Sequence, residues 1–186
     1  MKKIITMIVG IVLFSMTTAV QAQEAVAPLA EISPKPRVEY TLPYPGMLPD
    51  NPLYFLKKLR DTVMEKVIAD PMKKAEFYVL QADKRLVMGQ MLAEQKKNEL
   101  TETTVSKGSK YMIQAMDVLK AQKMGGNKIP SYMTNRMGNS VAKHLEVLEE
   151  LKAKAGANAA GIDGTMGLLK QVQSELSTFT TPETQQ

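Results

Sequence analysis

Leu48-Pro49-Asp50-Asn51-Pro52-Leu53-Tyr54-Phe55-Leu56-Lys57-Lys58-Leu59-Arg60 divides the chain into an extended part and a helical part. Upstream, Pro28, Pro34, Pro36, Pro43, Pro45 and Pro49 remove backbone donors and bias their preceding residues away from the helical region, so residues 23–49 read as a Pro-rich arm or linker. Within the stretch, Asp50 or Asn51 can accept orphan amide protons at a helix start. Pro52 suits the first turn, where its missing donor costs nothing. Leu53, Leu56, Leu59 or Arg60, Val63 and Val67 then give one apolar face, which places Leu53 and Leu56 in the core.

Working downstream, Asp70-Pro71 ends the first helix and opens a second, about 71–97, with Met72, Ala75, Val79, Ala82, Leu86, Gly89 and Ala93 on its stripe. Ala75, Ala82 and Gly89 make every second layer small, so a neighbouring helix should approach closely there. A third helix, about 102–124, carries Val105, Gly108, Met112, Ala115 and Leu119, and stops at Gly125-Gly126-Asn127. The fourth, about 130–155, runs through Met133, Met137, Val141, His144, Leu148 and Leu151; the fifth, about 162–179, through Ile162, Met166, Leu169, Val172, Leu176 and Phe179. No segment sustains the two-residue alternation of a strand. The expectation is an all-α, antiparallel bundle of four to five helices over residues 50–179, preceded by the arm and followed by a frayed tail at 180–186.

Working upstream, Lys2 and Lys3, the apolar run Ile4–Met16 and the small, polar Thr17–Ala22 form a tripartite export signal with cleavage expected after Ala22. Thirteen apolar residues fall short of the roughly 20 that span a bilayer, so no stable membrane span is expected after cleavage. Removing this segment lowers the net charge from +5 to +3. Acidic and basic residues are interspersed along the helices instead of being gathered on one face with aromatics, which argues against a nucleic-acid partner. The chain has no cysteine, so a lipid-modified cysteine is excluded, and stability in an oxidising compartment must come from apolar burial.

With Leu48 to Lys57, then Asp70-Pro-Met-Lys-Lys-Ala-Glu76 and Ala82-Asp-Lys-Arg-Leu86, the chain resembles a prokaryotic family of exported or membrane-tethered helical domains of unknown function, over about residues 40–125. The resemblance implies a helical, extracytoplasmic module. That family has no established activity, so no catalytic residue carries over. The motif positions Pro49, Asp50, Pro52, Leu53, Tyr54, Leu56, Ala82, Arg85 and Leu86 read as structural. Ala82 and Leu86 belong to the core of the second helix, Tyr54 can lie against the arm, and Arg85 can reach Asp61 or Glu65 of the first helix. Tyr40, Leu42, Tyr44, Met47 and Leu48 are the residues able to pin the arm to the bundle.

Candidate chemistry is sparse. His144 is the single histidine, and its same-face neighbours Ser140, Val141, Val147 and Leu148 include no carboxylate or second nitrogen, so it reads as a core histidine with a hydrogen bond. Of fourteen methionines, Met88 and Met91, Met112 and Met116, and Met133 and Met137 are pairs at helical spacing. Facing pairs, Met112 and Met116 against Met133 and Met137, could hold a soft ion such as Cu(I) or Ag(I), although methionines on apolar stripes ordinarily fill core gaps. Gly161, Gly164 and Gly167 lack the strand and the Gly-Lys-Ser/Thr of a phosphate loop. No cofactor is called for and no enzyme is expected. The leading expectation is a non-enzymatic extracytoplasmic interaction or structural module whose partner is an unknown protein or envelope component; a periplasmic stress-related chaperone and a soft-metal binder are the alternatives. A binder requires an exposed apolar patch of several hundred Å² rimmed by Lys and Arg.

Overall fold

The structure, a computed structural model, describes residues 37–155 and 159–180. The expected signal segment, the first half of the arm, most of the connection after Ala155 and the tail beyond Thr180 lie outside the described residues. Five helices follow one another: α1 Tyr54–Val67, α2 Pro71–Glu94, α3 Asn98–Met124, α4 Ser131–Ala155 and α5 Ala159–Thr180. The fold is all-α, and no helix among the described residues is long and apolar enough to cross a membrane.

Local chemistry sets most boundaries. Asp70 Oδ1 accepts the Lys73 amide at 2.9 Å, and Pro71 occupies the first turn of α2, where its missing donor is harmless. Gly126, with φ +78°, and Pro130 separate α3 from α4. The turn between α2 and α3 is tighter than its sequence suggests: α2 stops at Glu94, not 97, and α3 starts at Asn98, not 102. Lys96 adopts φ +59° there, and the Lys97 amide turns back to the Leu92 carbonyl at 3.0 Å. A lysine in the left-handed region gives no sequence signal comparable to glycine.

The bundle proper is made by α2 to α5. The hairpins α2–α3 and α4–α5 are antiparallel, and they sit side by side with α2 next to α4 and α3 next to α5. Those two lateral pairs run parallel. Tyr132 of α4 meets Glu76 of α2 near their starts, and Ser140 and His144 meet Asp83 about two to three turns later; Gly161 of α5 abuts Glu102 of α3, and Lys120 pairs with Glu175 farther along. Consecutive helices are thus antiparallel, as short linkers favour, but α3 and α4 occupy diagonal corners.

The small-residue seam behaves as expected. Ala75 and Ala82 are completely buried, a Cβ on Gly89 would run into the Val105 side chain, and one on Gly108 would lie 3.3 Å from the Ala82 carbonyl oxygen. Leu86, Met112, Met116, Leu119, Met133, Met137, Leu148 and Leu169 fill the space between helices. The second half of the arm is held against this body. Leu42 packs on the core, the Val38 amide donates to Glu146 Oε2 at 2.7 Å, and Pro45 is buried, whereas Tyr44 is exposed.

One expectation is overturned. Leu53 and Leu56 do not enter the core: they are 52% and 50% exposed, and Leu59, Val63 and Val67 are also exposed. The buried residue of α1 is Asp61. Four stripes already close the core among α2 to α5, so the fifth has no apolar surface left to meet. Nor does Asp50 or Asn51 cap a helix beginning at Pro52. Asn51 Oδ1 accepts the Leu53 amide at 2.8 Å in a turn, Asp50 pairs with Lys97 at 2.6 Å, and α1 begins at Tyr54.

Candidate functional site

Four groups of residues could carry function, and the structure separates them by exposure. Met112, Met116, Met133 and Met137 are all buried within the core cluster, alongside Leu119 and Leu148, where their flexible side chains fill volume. Among the described residues, no group of three His, Asp or Glu side chains is placed to hold a metal ion.

The second group is a polar node inside the bundle. Asp83 of α2 is buried and accepts three hydrogen bonds: Ser140 Oγ at 2.5 Å and His144 Nε2 at 3.0 Å on Oδ1, and the Tyr40 hydroxyl at 2.7 Å on Oδ2. With Asp83 Oδ1 as the acceptor, the imidazole presents its Nε2–H to it. Serine, histidine and aspartate therefore meet, but in the wrong order for nucleophilic catalysis. A triad needs the imidazole between acid and hydroxyl, so that one ring nitrogen takes the serine proton. Here serine donates straight to the carboxylate. The node is a clamp that ties α4 and the arm to α2. Burial, reinforced by Asp83, pushes the Tyr40 phenol up to about 12. His144 is the hydrogen-bonded core histidine its stripe implies; Asp83, its partner, was hidden because it comes from another helix.

The third group surrounds Arg85. The expected pairing with Asp61 or Glu65 does not form: Asp61 is paired with Arg60 at 2.7 Å and Glu65 accepts the Tyr78 hydroxyl at 2.8 Å. Arg85 instead donates to two phenols, Nη1 to Tyr54 at 3.0 Å and Nη2 to Tyr111 at 3.1 Å, and its guanidinium lies 4.6 Å from the centre of the Tyr111 ring. Tyr54 thus faces α2, with its hydroxyl also 4.0 Å from Met88 Sδ, and is not simply laid against the arm. Ala82 and Leu86 are core residues, as expected.

The fourth group is the outer face of α1. At 100° per residue, Phe55, Leu56, Leu59, Val63 and Val67 fall in one sector of the helix surface, a ridge that Lys66 shares near the C-terminal end, with Arg60 on one flank and Lys58 on the other. Every residue of that ridge is half exposed or more. The inner face is polar: Tyr54, Asp61 and Glu65 point to the bundle, and Lys57 Nζ donates to the Pro45 carbonyl at 2.6 Å. Burial pushes the Lys57 ammonium down to about 8. With both acids turned inward, the exposed basic residues on α1 are Lys58, Lys66 and Arg60, the last of them paired with Asp61. Exposed apolar side chains and basic residues thus lie together on the outer face of α1.

The model of a family described as a domain of unknown function, DUF5667, matches residues 46–158, more than half of the chain, and the chain belongs to that family. The match begins at the turn before α1 and runs through α4. No curated protein and no solved structure matches the chain.

Proposed function

We propose that this member of the DUF5667 family is a non-enzymatic, extracytoplasmic interaction module that docks on the anionic lipid surface of the cell envelope through α1. The observation that carries the reading is the outward ridge of α1. A helix that lies in a membrane interface combines an apolar face with a basic polar rim, and its hold strengthens with buried apolar area and with anionic lipid. The tripartite segment at 1–22 supports an extracytoplasmic location. The reversed order of the Asp83 node supports a non-enzymatic role.

Because the chain has no cysteine, a single label can read the ridge locally, whatever the apolar run at 4–16 does. Leu59→Cys carrying an environment-sensitive fluorophore should shift to the blue and be quenched by spin-labelled lipid on vesicles containing phosphatidylglycerol. It should respond weakly to phosphatidylcholine alone. The same label at Gln173→Cys on α5 should stay in water. A label at 59 that remains hydrated on anionic vesicles refutes lipid docking, and a shift that follows protein concentration without lipid assigns the ridge to protein–protein contact.

A further inference from the structure

Beneath α1 lies a small cavity of about 100 Å³, lined by Tyr54 and Lys58 of α1, Arg85 of α2, and Thr103, Thr104 and Lys107 of α3. Two features of Arg85 are unusual there. Its side chain is nine-tenths buried without any carboxylate partner, its hydrogen bonds going to two neutral phenols. Its Nε is also the single buried side-chain nitrogen or oxygen without a hydrogen-bond partner among the described residues. A buried cation is normally paired, because taking it out of water costs far more than neutral hydrogen bonds return. The two acids of α1, Asp61 and Glu65, are paired with Arg60 and Tyr78.

We infer that this cavity is a binding site for a tetrahedral oxyanion: phosphate, or the phosphate of a lipid headgroup. Three cations, Lys58, Arg85 and Lys107, reach it from three different helices, the threonines add hydroxyl-bearing side chains, and no acid lines it. Its volume suits the ion, being that of about three water molecules in the liquid. Donors arriving from several directions match four oxygens on one centre better than the two coplanar oxygens of a carboxylate, which a lone guanidinium would satisfy. The bound anion supplies the charge that Arg85 lacks and joins α1 to the α2–α3 hairpin. The inference stands on the cavity and the unpartnered Arg85 Nε, so it is independent of how the ridge of α1 is used.

Calorimetric titration of the full-length chain with inorganic phosphate, at ionic strength held constant with chloride, tests it. Tyrosine fluorescence gives a second readout, since Tyr54 and Tyr111 hold Arg85 and the chain has no tryptophan. Saturable binding of one phosphate per chain is expected. Lys107→Ala, at an exposed position, should weaken it by roughly tenfold while leaving the fold intact, and Arg85→Lys by at least as much. A soluble short-chain phosphatidylglycerol forms the other arm: if it binds with the same dependence on Lys107 and free phosphate does not, the site takes the lipid headgroup. The inference is overturned if neither probe differs from chloride, or if saturable binding is unchanged in both Lys107→Ala and Arg85→Lys.

Discussion

Leu59→Ala separates an outward ridge from a buried one. Leu59 is 61% exposed, so about two-fifths of it is covered. Burying a whole leucine is worth about 1.5–3 kcal/mol, so the covered part contributes roughly 0.6–1.2 kcal/mol. Alanine retains some of that contact and has the better helix propensity, which offsets a few tenths more. The expected loss is therefore below about 1 kcal/mol. Leu86 of α2, only 1% exposed, makes the comparison, because Leu→Ala at such a site costs about 2–5 kcal/mol through lost transfer energy and the cavity left behind. Urea unfolding followed by circular dichroism reads both, and an unchanged denaturant slope shows that the same surface is exposed on unfolding. Should Leu59→Ala lose more than about 2 kcal/mol, approaching Leu86→Ala, the residue is packed and the ridge does not face solvent.

Asp83→Ala leaves the donors on Ser140, His144 and Tyr40 without their acceptor and should cost about 3 kcal/mol or more in urea unfolding, whereas Tyr40→Phe removes one donor and should cost about 1 kcal/mol. Gly89→Ala gains up to about 1 kcal/mol of helix propensity, but the new Cβ meets Val105, whose branched side chain has one favoured rotamer in a helix, so overpacking by about 1–3 kcal/mol should make the change destabilising. In a Val105→Ala background the same substitution should become stabilising, and a double-mutant cycle detects the change of sign. Tyr40 and Tyr78 are both pushed up to about 12, by burial and then by Asp83 and Glu65 respectively, and the hydrogen bond to Glu76 raises Tyr132, so three of the six tyrosines should ionise late in an absorbance titration, Tyr40 and Tyr78 the latest. A raised phenol means that the folded state holds the proton more tightly, and the stability this gives is complete below pH 10 and lost as the pH rises towards 12. Lys57 acts in the opposite sense, since its lowered value makes stability rise between about pH 8 and 10.5.

The helices were legible because their signals are local. Asp70-Pro71 marks a start by capping chemistry, Gly125-Gly126 marks a stop, and the seven-residue spacing of Ala75, Ala82 and Gly89 marks a close contact whichever helix fills it. What the sequence concealed was pairing. Arg85 could be offered Asp61 or Glu65 only if the register of α1 on α2 were known; in the structure Arg85 lies level with Tyr54 at the start of α1, about two to three turns from those acids, and its partners are Tyr54 and Tyr111. His144 shows the same limit: its own helix offers no carboxylate, and Asp83 reaches it from a helix two elements earlier in the chain. A carboxylate beside an apolar stripe, facing a stripe that holds the single histidine, was the available signal. The direction of α1 was concealed for a further reason. Periodicity identifies an apolar face but not what the face meets, and on α1 the polar face also carries residues able to pack.

Those inner residues decide the matter. Tyr54 takes a hydrogen bond from Arg85, Glu65 takes one from Tyr78, Lys57 donates to the Pro45 carbonyl, and Asp61 is buried with Arg60 closing over it. Turning α1 by half a revolution to bury Leu59 and Val63 would break all of these contacts and carry Asp61 into solvent. It would also strip Arg85 of one of its two hydrogen-bond acceptors, raising the cost of a cation that already lacks a counter-charge. The outward ridge is thus fixed by several polar contacts at once. Apolar surface held in water adds little to folding, since the hydrophobic gain comes only with its removal from solvent. Whatever free energy Phe55, Leu56, Leu59, Val63 and Val67 can yield is therefore available chiefly to a contact outside the chain.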